Sequence, residues 1–222
     1  MMRVRHAVFV SGILVVALWA QTVGASGENV VLVTGFEPFG SYTINPSQII
    51  AESLNGTVLS NVTIIGIVLP VDFNTSLEQA AEAIQQYHPD LVLCLGLNAR
   101  AQEIRVEKIG FNVKRYPKDD GTWSFPRRIN SSGPLLRFSP LPTRDIVQKI
   151  QQANIPAKIS CFAGTYVCNA LLYQLLGHVA VHNITRRIGF LHVPLLDSQD
   201  PEGMPLQSMV DAVTIAIQVN LQ

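Results

Sequence analysis

Charge is scarce in this chain of 222 residues: 14% are Asp, Glu, Lys or Arg, and the sixteen basic and sixteen acidic side chains cancel. No cluster of Lys and Arg breaks that balance. A nucleic acid is therefore a poor candidate partner, because such binding draws its affinity from phosphate neutralisation. Cysteine is scarcer still. Cys94, Cys161 and Cys168 are too few for a disulfide scaffold and lack the paired short spacings of a structural zinc site. There is no internal repeat, no low-complexity tract and no linker that would split the chain. A phosphate-binding loop is missing as well, since Gly35-x-x-x-x-Gly40 is not followed by the Lys-Ser/Thr that would complete it. Apolar residues are what the chain has in quantity. At 48% they exclude disorder and suit one domain of the larger kind.

The N-terminus reads separately from the rest. Arg3, Arg5 and His6 precede a fourteen-residue apolar run from Ala7 to Ala20, and small residues then reach Ala25. That is the pattern of a secretory signal, and the run is short against the roughly 20 residues of a membrane span. Residues 1–25 are thus expected to be cleaved before Ser26, with an uncleaved membrane anchor as the alternative. Residues 26–222 form the expected folded domain. Without Arg3 and Arg5 it holds 14 basic and 16 acidic residues, a balance of −2 over 197 residues. Export to a secreted or extracytoplasmic location follows, against a cytoplasmic alternative. Five Asn-x-Ser/Thr sequons, at Asn55, Asn61, Asn74, Asn130 and Asn183, are compatible with it but arise often by chance.

Short apolar runs at 29–34, 62–69, 91–95, 157–160 and 188–193 read as strands buried on both faces. Helical patterns lie between and after them: 48–54 opened by Asn45-Pro46-Ser47, 74–87, 144–152 capped by Thr143, 169–176 ending before Gly177, and 205–219. Such alternation predicts a single α/β domain, a largely parallel central sheet with helices on both faces in a three-layer sandwich. The stretch from Val113 to Pro142 breaks the rhythm with five prolines and two Gly turns. It is expected to form a surface excursion near the site, with a short hairpin.

In an open α/β sheet, ligands gather at the carboxyl ends of the strands. Gly35-Phe36-Glu37-Pro38-Phe39-Gly40 follows the first run; its two rings either line a pocket mouth or fill core, and composition favours core. Glu103, Arg105, Glu107 and Lys108 follow the third run, where so many charges usually mean a solvated face. Cys168 opens the helix near Asn169, where dipole and free N–H groups favour a thiolate. Cys94, inside Leu91-Val92-Leu93-Cys94-Leu95, reads as inert core, and Cys161 is undecided between packing and a disulfide. Among the histidines, His88 sits in a turn, and His178 and His182 fall in a connection after Gly177. His192 stands at a strand end before Val193-Pro194. A thiol, an imidazole and an acid from a third loop would make a nucleophile, its base and an orienting carboxylate.

Four ordered motifs then resemble the pyroglutamyl peptidase I family, also called pyrrolidone carboxyl peptidases. They are Val33 to Gly40 with Asn45-Pro46-Ser47, Gly96 to Asn112, Ala163 to Asn169 with Tyr173, and Gly189 to Pro194; the likeness runs from Val31 to about Val219. The resemblance implies Cys168 as nucleophile, His192 as general base and then acid, and Glu107 as the group orienting the imidazole. It implies substrate contacts at Phe36, Phe39 and Asn45, pyroglutamyl peptides as substrates, no cofactor and no metal, and assembly as a homodimer or homotetramer. The chain departs from the family's pattern at Gly40-Ser41, at Arg105 and Gly110 around Glu107, at Arg100-Ala101 and at Cys161-Phe162. A catalytically weak relative that binds capped peptides is the competing reading, and a phosphorylase on a similar scaffold a more distant one.

Overall fold

The structure is a computed structural model describing residues 29–182 and 187–221. The expected signal segment 1–25 and the sequon at Asn183 lie outside the described residues, and no described helix is long and apolar enough to cross a membrane.

A seven-stranded sheet forms the middle layer. In chain order its strands are β1 (Asn29–Phe36), β2 (Val58–Leu59), β3 (Val62–Leu69), β4 (Leu91–Leu97), β5 (Ile104–Glu107), β8 (Ala157–Ser160) and β9 (Ile188–Val193), and in space they run β2-β3-β1-β4-β9-β5-β8. The β3-β1-β4-β9 block is parallel, as the continuous apolar runs predict. β5 pairs antiparallel with β9, and β8 parallel with β5. Strands β6 (Ile109–Phe111) and β7 (Leu136–Phe138) form a small antiparallel ribbon.

Side chains alternate between the two faces of the sheet. Val31, Val33, Leu91, Leu93, Leu191 and Val193 pack in one core cluster under α1 (Pro46–Leu54), α3 (Thr143–Gln152) and α5 (Leu206–Leu221). Leu32, Val92, Cys94, Ile188 and Phe190 pack in the other, under α2 (Thr75–Tyr87) and α4 (Val167–His182). The same parity decides the site. His192, two residues past Phe190, lies on the α4 face. Glu107 stands opposite Phe190 in the β5–β9 ladder and so faces that way too.

Several local expectations change. The helix expected to stop before Gly177 continues to His182, so His178 is helical and not in a connection. Gly177 survives there because the Arg137 guanidinium occupies its missing Cβ, which would lie 2.3 Å from Nη1. Thr143 is the first residue of α3 and not its cap, and Pro142 precedes it with no side-chain cap bond. The helix expected from residue 74 starts at Thr75, where the Asp72 carboxylate accepts from the N–H groups of Asn74 and Thr75, which hold its pKa below the ordinary carboxylate value. The charged stretch after the third run holds the strand Ile104–Glu107, with Glu107 1% exposed, and is not a solvated face. The excursion carries the expected hairpin through the bridges Lys114–Arg127 and Pro117–Trp123.

Candidate active site

Cys168 is the second residue of α4, among the first-turn N–H groups that have no partner within the helix. Asn169, fully buried beside it, fixes where that helix begins. Its Nδ2 donates to the carbonyls of Phe111 and Val113, and its Oδ1 accepts from the Phe111 N–H at 2.9 Å. One turn on, the Tyr173 hydroxyl donates to the Pro134 carbonyl at 2.7 Å. The start of α4 is therefore clamped to β6 and the segment leading to β7, immediately after Glu107. Gly110 permits this closeness, since a Cβ there would lie 2.9 Å from the Tyr173 backbone.

The sheet supplies the floor under the sulfur. Gly96 on β4 pairs in register with His192 on β9, and a Cβ at Gly96 would fall 2.9 Å from Cys168 Sγ and 2.8 Å from Phe190 Cζ. Only a residue without a side chain lets the thiol rest there.

His192 is 4% exposed and lies against the Phe190 ring, with centroids 4.8 Å apart. Its Nδ1 is 2.8 Å from Glu107 Oε1, and because a carboxylate only accepts, Nδ1 carries the proton and Nε2 is left for Cys168. Burial pulls the imidazole pKa down, while hydrogen bonds to Cys168 and Glu107 and their negative charge pull it up. The result is a pKa pushed up to about 9. Glu107 Oε2 is buried with no hydrogen-bond partner among the described residues, so the carboxylate's one side-chain partner is the imidazole. The thiol can pass its proton to His192 and leave a thiolate beside an imidazolium.

A pocket of about 240 Å³ opens beside the sulfur, lined by Phe36, Phe39, Asn45, Val71, Leu97, Tyr166, Val167 and Cys168. Its walls are mainly apolar side chains, with the sulfur at one end. Phe36, 2% exposed, packs in the α4-side core as composition favoured and also lines the pocket, whereas Phe39 is half-buried at its wall. Asn45 reaches the pocket with its polar atoms engaged: it donates to the Glu37 carbonyl and accepts from the Ser47 N–H and hydroxyl, capping α1. Tyr166, Val71 and Leu97 were not singled out from sequence. Tyr166 had a signal, two residues before Cys168. The excursion reaches this wall, as the Trp123 ring meets Tyr166 edge-on at 5.3 Å and the Arg115 N–H donates to the Thr165 carbonyl.

The other two thiols stand apart. Cys94 is fully buried and desolvation pushes it up to about 12, which suits the inert core expected of it; Cys161 is exposed and free. Among the described residues, no three His, Cys, Asp or Glu side chains gather as a metal site would need.

A thiol at a helix start, an imidazole at a strand end and a buried carboxylate on a covered α/β sheet define the class of thiol hydrolases. Within that class the chain belongs to the pyroglutamyl peptidase family, whose model matches residues 29–222. The pyrrolidone-carboxylate peptidase of Yersinia pestis (strain Pestoides F) is 38% identical over 199 residues, spanning 86% of this chain and 93% of that protein. That of Bacillus cytotoxicus is 34% identical with the same coverage. Among solved structures, a mutant pyrrolidone carboxyl peptidase from Pyrococcus furiosus superposes with a TM-score of 0.81 at 34% identity, covering 86% of this chain and 98% of that one. The Thermococcus litoralis enzyme gives 0.81 at 31% identity, covering 87% and 93%.

Proposed function

We propose that this chain is a cysteine exopeptidase that hydrolyses the N-terminal pyroglutamyl residue from peptides. The observation that carries the reading is the Cys168–His192–Glu107 arrangement at the mouth of a small, mainly apolar pocket. Pyroglutamate is an uncharged lactam, so it asks for apolar walls and no counter-ion, and Phe36 and Phe39 supply such walls.

In this reading Cys168 sulfur attacks the pyroglutamyl carbonyl carbon, and the new oxyanion is held by N–H groups at the start of α4. The C–N bond breaks as the His192 imidazolium gives its proton to the departing amine. A thioester remains on Cys168. Water, deprotonated by His192, then attacks that carbonyl, releasing pyroglutamate and returning the sulfur to its starting state. Glu107 holds the imidazole and supports its charge throughout. The protons balance between the triad, the leaving amine and one water.

The test is turnover of a fluorogenic pyroglutamyl amide under reducing conditions, lost in Cys168→Ser and on thiol alkylation. A well-folded wild type without turnover, or turnover that survives loss of Cys168, refutes the reading. We also propose export through residues 1–25 and assembly as a homodimer or homotetramer. N-terminal sequencing of native protein that finds Arg3 to Ala20 intact in a cytoplasmic form overturns the first, and a monomer by sedimentation overturns the second.

A further inference from the structure

The ladder registers place Gly96, His192, Arg105 and Lys158 in one row across β4, β9, β5 and β8. Residues directly opposite in neighbouring strands share a face, with Cβ atoms about 4.5–5.5 Å apart. The row therefore starts under the Cys168 sulfur and continues past the imidazole to a guanidinium and an ammonium. Glu103 ties the outer end together, its Oε1 lying 2.8 Å from Arg105 Nε and 2.9 Å from Lys158 Nζ. Burial raises the Glu103 pKa and hydrogen bonds from Lys158 and Arg105 lower it, with the carboxyl ending below its ordinary value. Two cations against one anion leave one positive charge in excess. Arg105 is 24% exposed at its side chain, and its two terminal nitrogens hold no protein partner among the described residues. The acids Asp200 and Glu202 line a recess with Arg100 that does not include Arg105, Glu103 or Lys158.

Direction follows from chemistry, on the reading proposed above. The pyroglutamyl ring enters the pocket on the Phe36 and Tyr166 side of Cys168, and the departing amine must sit at His192 to receive its proton. Whatever follows the scissile bond then lies over the next position in the row, which is Arg105. An α-carboxyl carbon is only two bonds, about 2.5 Å, from that amine nitrogen. Arg105 offers the planar fork that a carboxylate fits.

We propose that Arg105 is a specificity-determining residue that receives a carboxylate on the leaving residue, so that pyroglutamyl substrates with a negative charge next to the scissile bond are preferred over neutral ones. Two sources supply that group: the free α-carboxylate of a pyroglutamyl dipeptide, and an acidic side chain at the leaving position.

The experiment compares kcat/KM for pyroglutamyl-alanine against its amide, and for pyroglutamyl-glutamate amide against pyroglutamyl-glutamine amide. It uses wild type, Arg105→Thr, Arg105→Lys and, on the far face, Arg144→Thr, with melting temperatures to verify folding. One or both acid-to-neutral ratios should be roughly 10-fold in wild type, carried mainly by KM and reduced at 0.5 M salt, since a part-exposed pair is screened (about 10-fold per 1.4 kcal/mol). The pair that shows the preference names the source of the carboxylate. Arg105→Thr should bring the ratio to about one, Arg105→Lys should retain part of it, and Arg144→Thr should leave it unchanged. Ratios near one in wild type overturn the proposal and leave the peptidase reading standing, as does a ratio unaltered in Arg105→Thr. An equal fall on charged and neutral substrates shows a structural role and also overturns it. No turnover of any pyroglutamyl substrate removes both.

Discussion

Gly96→Ala is the sharpest perturbation of the site that leaves all three chemical groups in place. The new methyl group would lie 2.9 Å from Cys168 Sγ, and 2.8 and 3.1 Å from Phe190 Cζ and Cε1. Ordinary carbon contacts are about 3.5–4.0 Å, so sulfur or ring must retreat by somewhat under 1 Å. Phe190 has no room to absorb this, being fully buried in the α4-side core and packed on the imidazole. The sulfur, at the open mouth of the pocket, gives way. A misplacement near 1 Å of a reacting atom costs up to about 100-fold in rate, so kcat/KM should fall about 30- to 100-fold, or 2–3 kcal/mol of barrier. Overpacking should cost a further 1–3 kcal/mol of stability. Moving the sulfur also weakens one of the two hydrogen bonds that raise His192, so the imidazole pKa should fall below about 9. The assay is kcat/KM against pH on a pyroglutamyl amide beside the rate of thiol alkylation. A folded Gly96→Ala enzyme within threefold of wild type, with the same alkaline limb, refutes the packing argument.

Glu107→Gln keeps the shape of the site but removes the charge that supports the imidazolium. It should lower kcat by about 10²–10⁴ and move the His192 titration down, read by pH–rate profiles or histidine NMR. The raised His192 pKa fixes the sign of a stability effect. The folded state binds the proton more tightly than the unfolded chain, whose histidine titrates near 6.5, so this contribution is full below about pH 6.5 and is lost as pH rises through about 9. Melting temperature should therefore decline between pH 6.5 and 9 in wild type and decline less in His192→Phe. Asn169→Ala strips partners from the Phe111 and Val113 carbonyls and should cost about 2–4 kcal/mol in denaturant unfolding while slowing turnover, because α4 loses its anchor beside Glu107. Leu93→Ala, at the middle of the sheet, should cost about 2–5 kcal/mol with little change in kcat for the folded fraction.

The layered α/β architecture was legible because the parallel strands are covered on both faces. Residues 31–33 and 91–95 have to be apolar throughout, and nothing in their surroundings disguises that. β5 was hidden for the opposite reason. Ile104 and Val106 face the core, but Arg105 and Glu107 alternate with them, and their charges are accommodated by Glu103 and by His192, partners that no local pattern reveals. Gly177 misled because its stop signal was overridden by Arg137, which folds in from 40 residues earlier. The two ends of the His192–Glu107 bond are 85 residues apart and come from different strands. Motif resemblance joined them with Cys168, whereas spacing alone could not. The registers that bring Arg105 beside His192 were beyond the reach of either.

The central claim is that Cys168 is the one thiol that attacks a bound pyroglutamyl group. It is tested most directly by labelling the reduced protein with pyroglutamyl chloromethyl ketone and mapping the modified peptide by mass spectrometry. Stoichiometric label on Cys168, with activity lost in parallel and free pyroglutamate protecting, is the predicted result. Label on exposed Cys161 with turnover intact would contradict it.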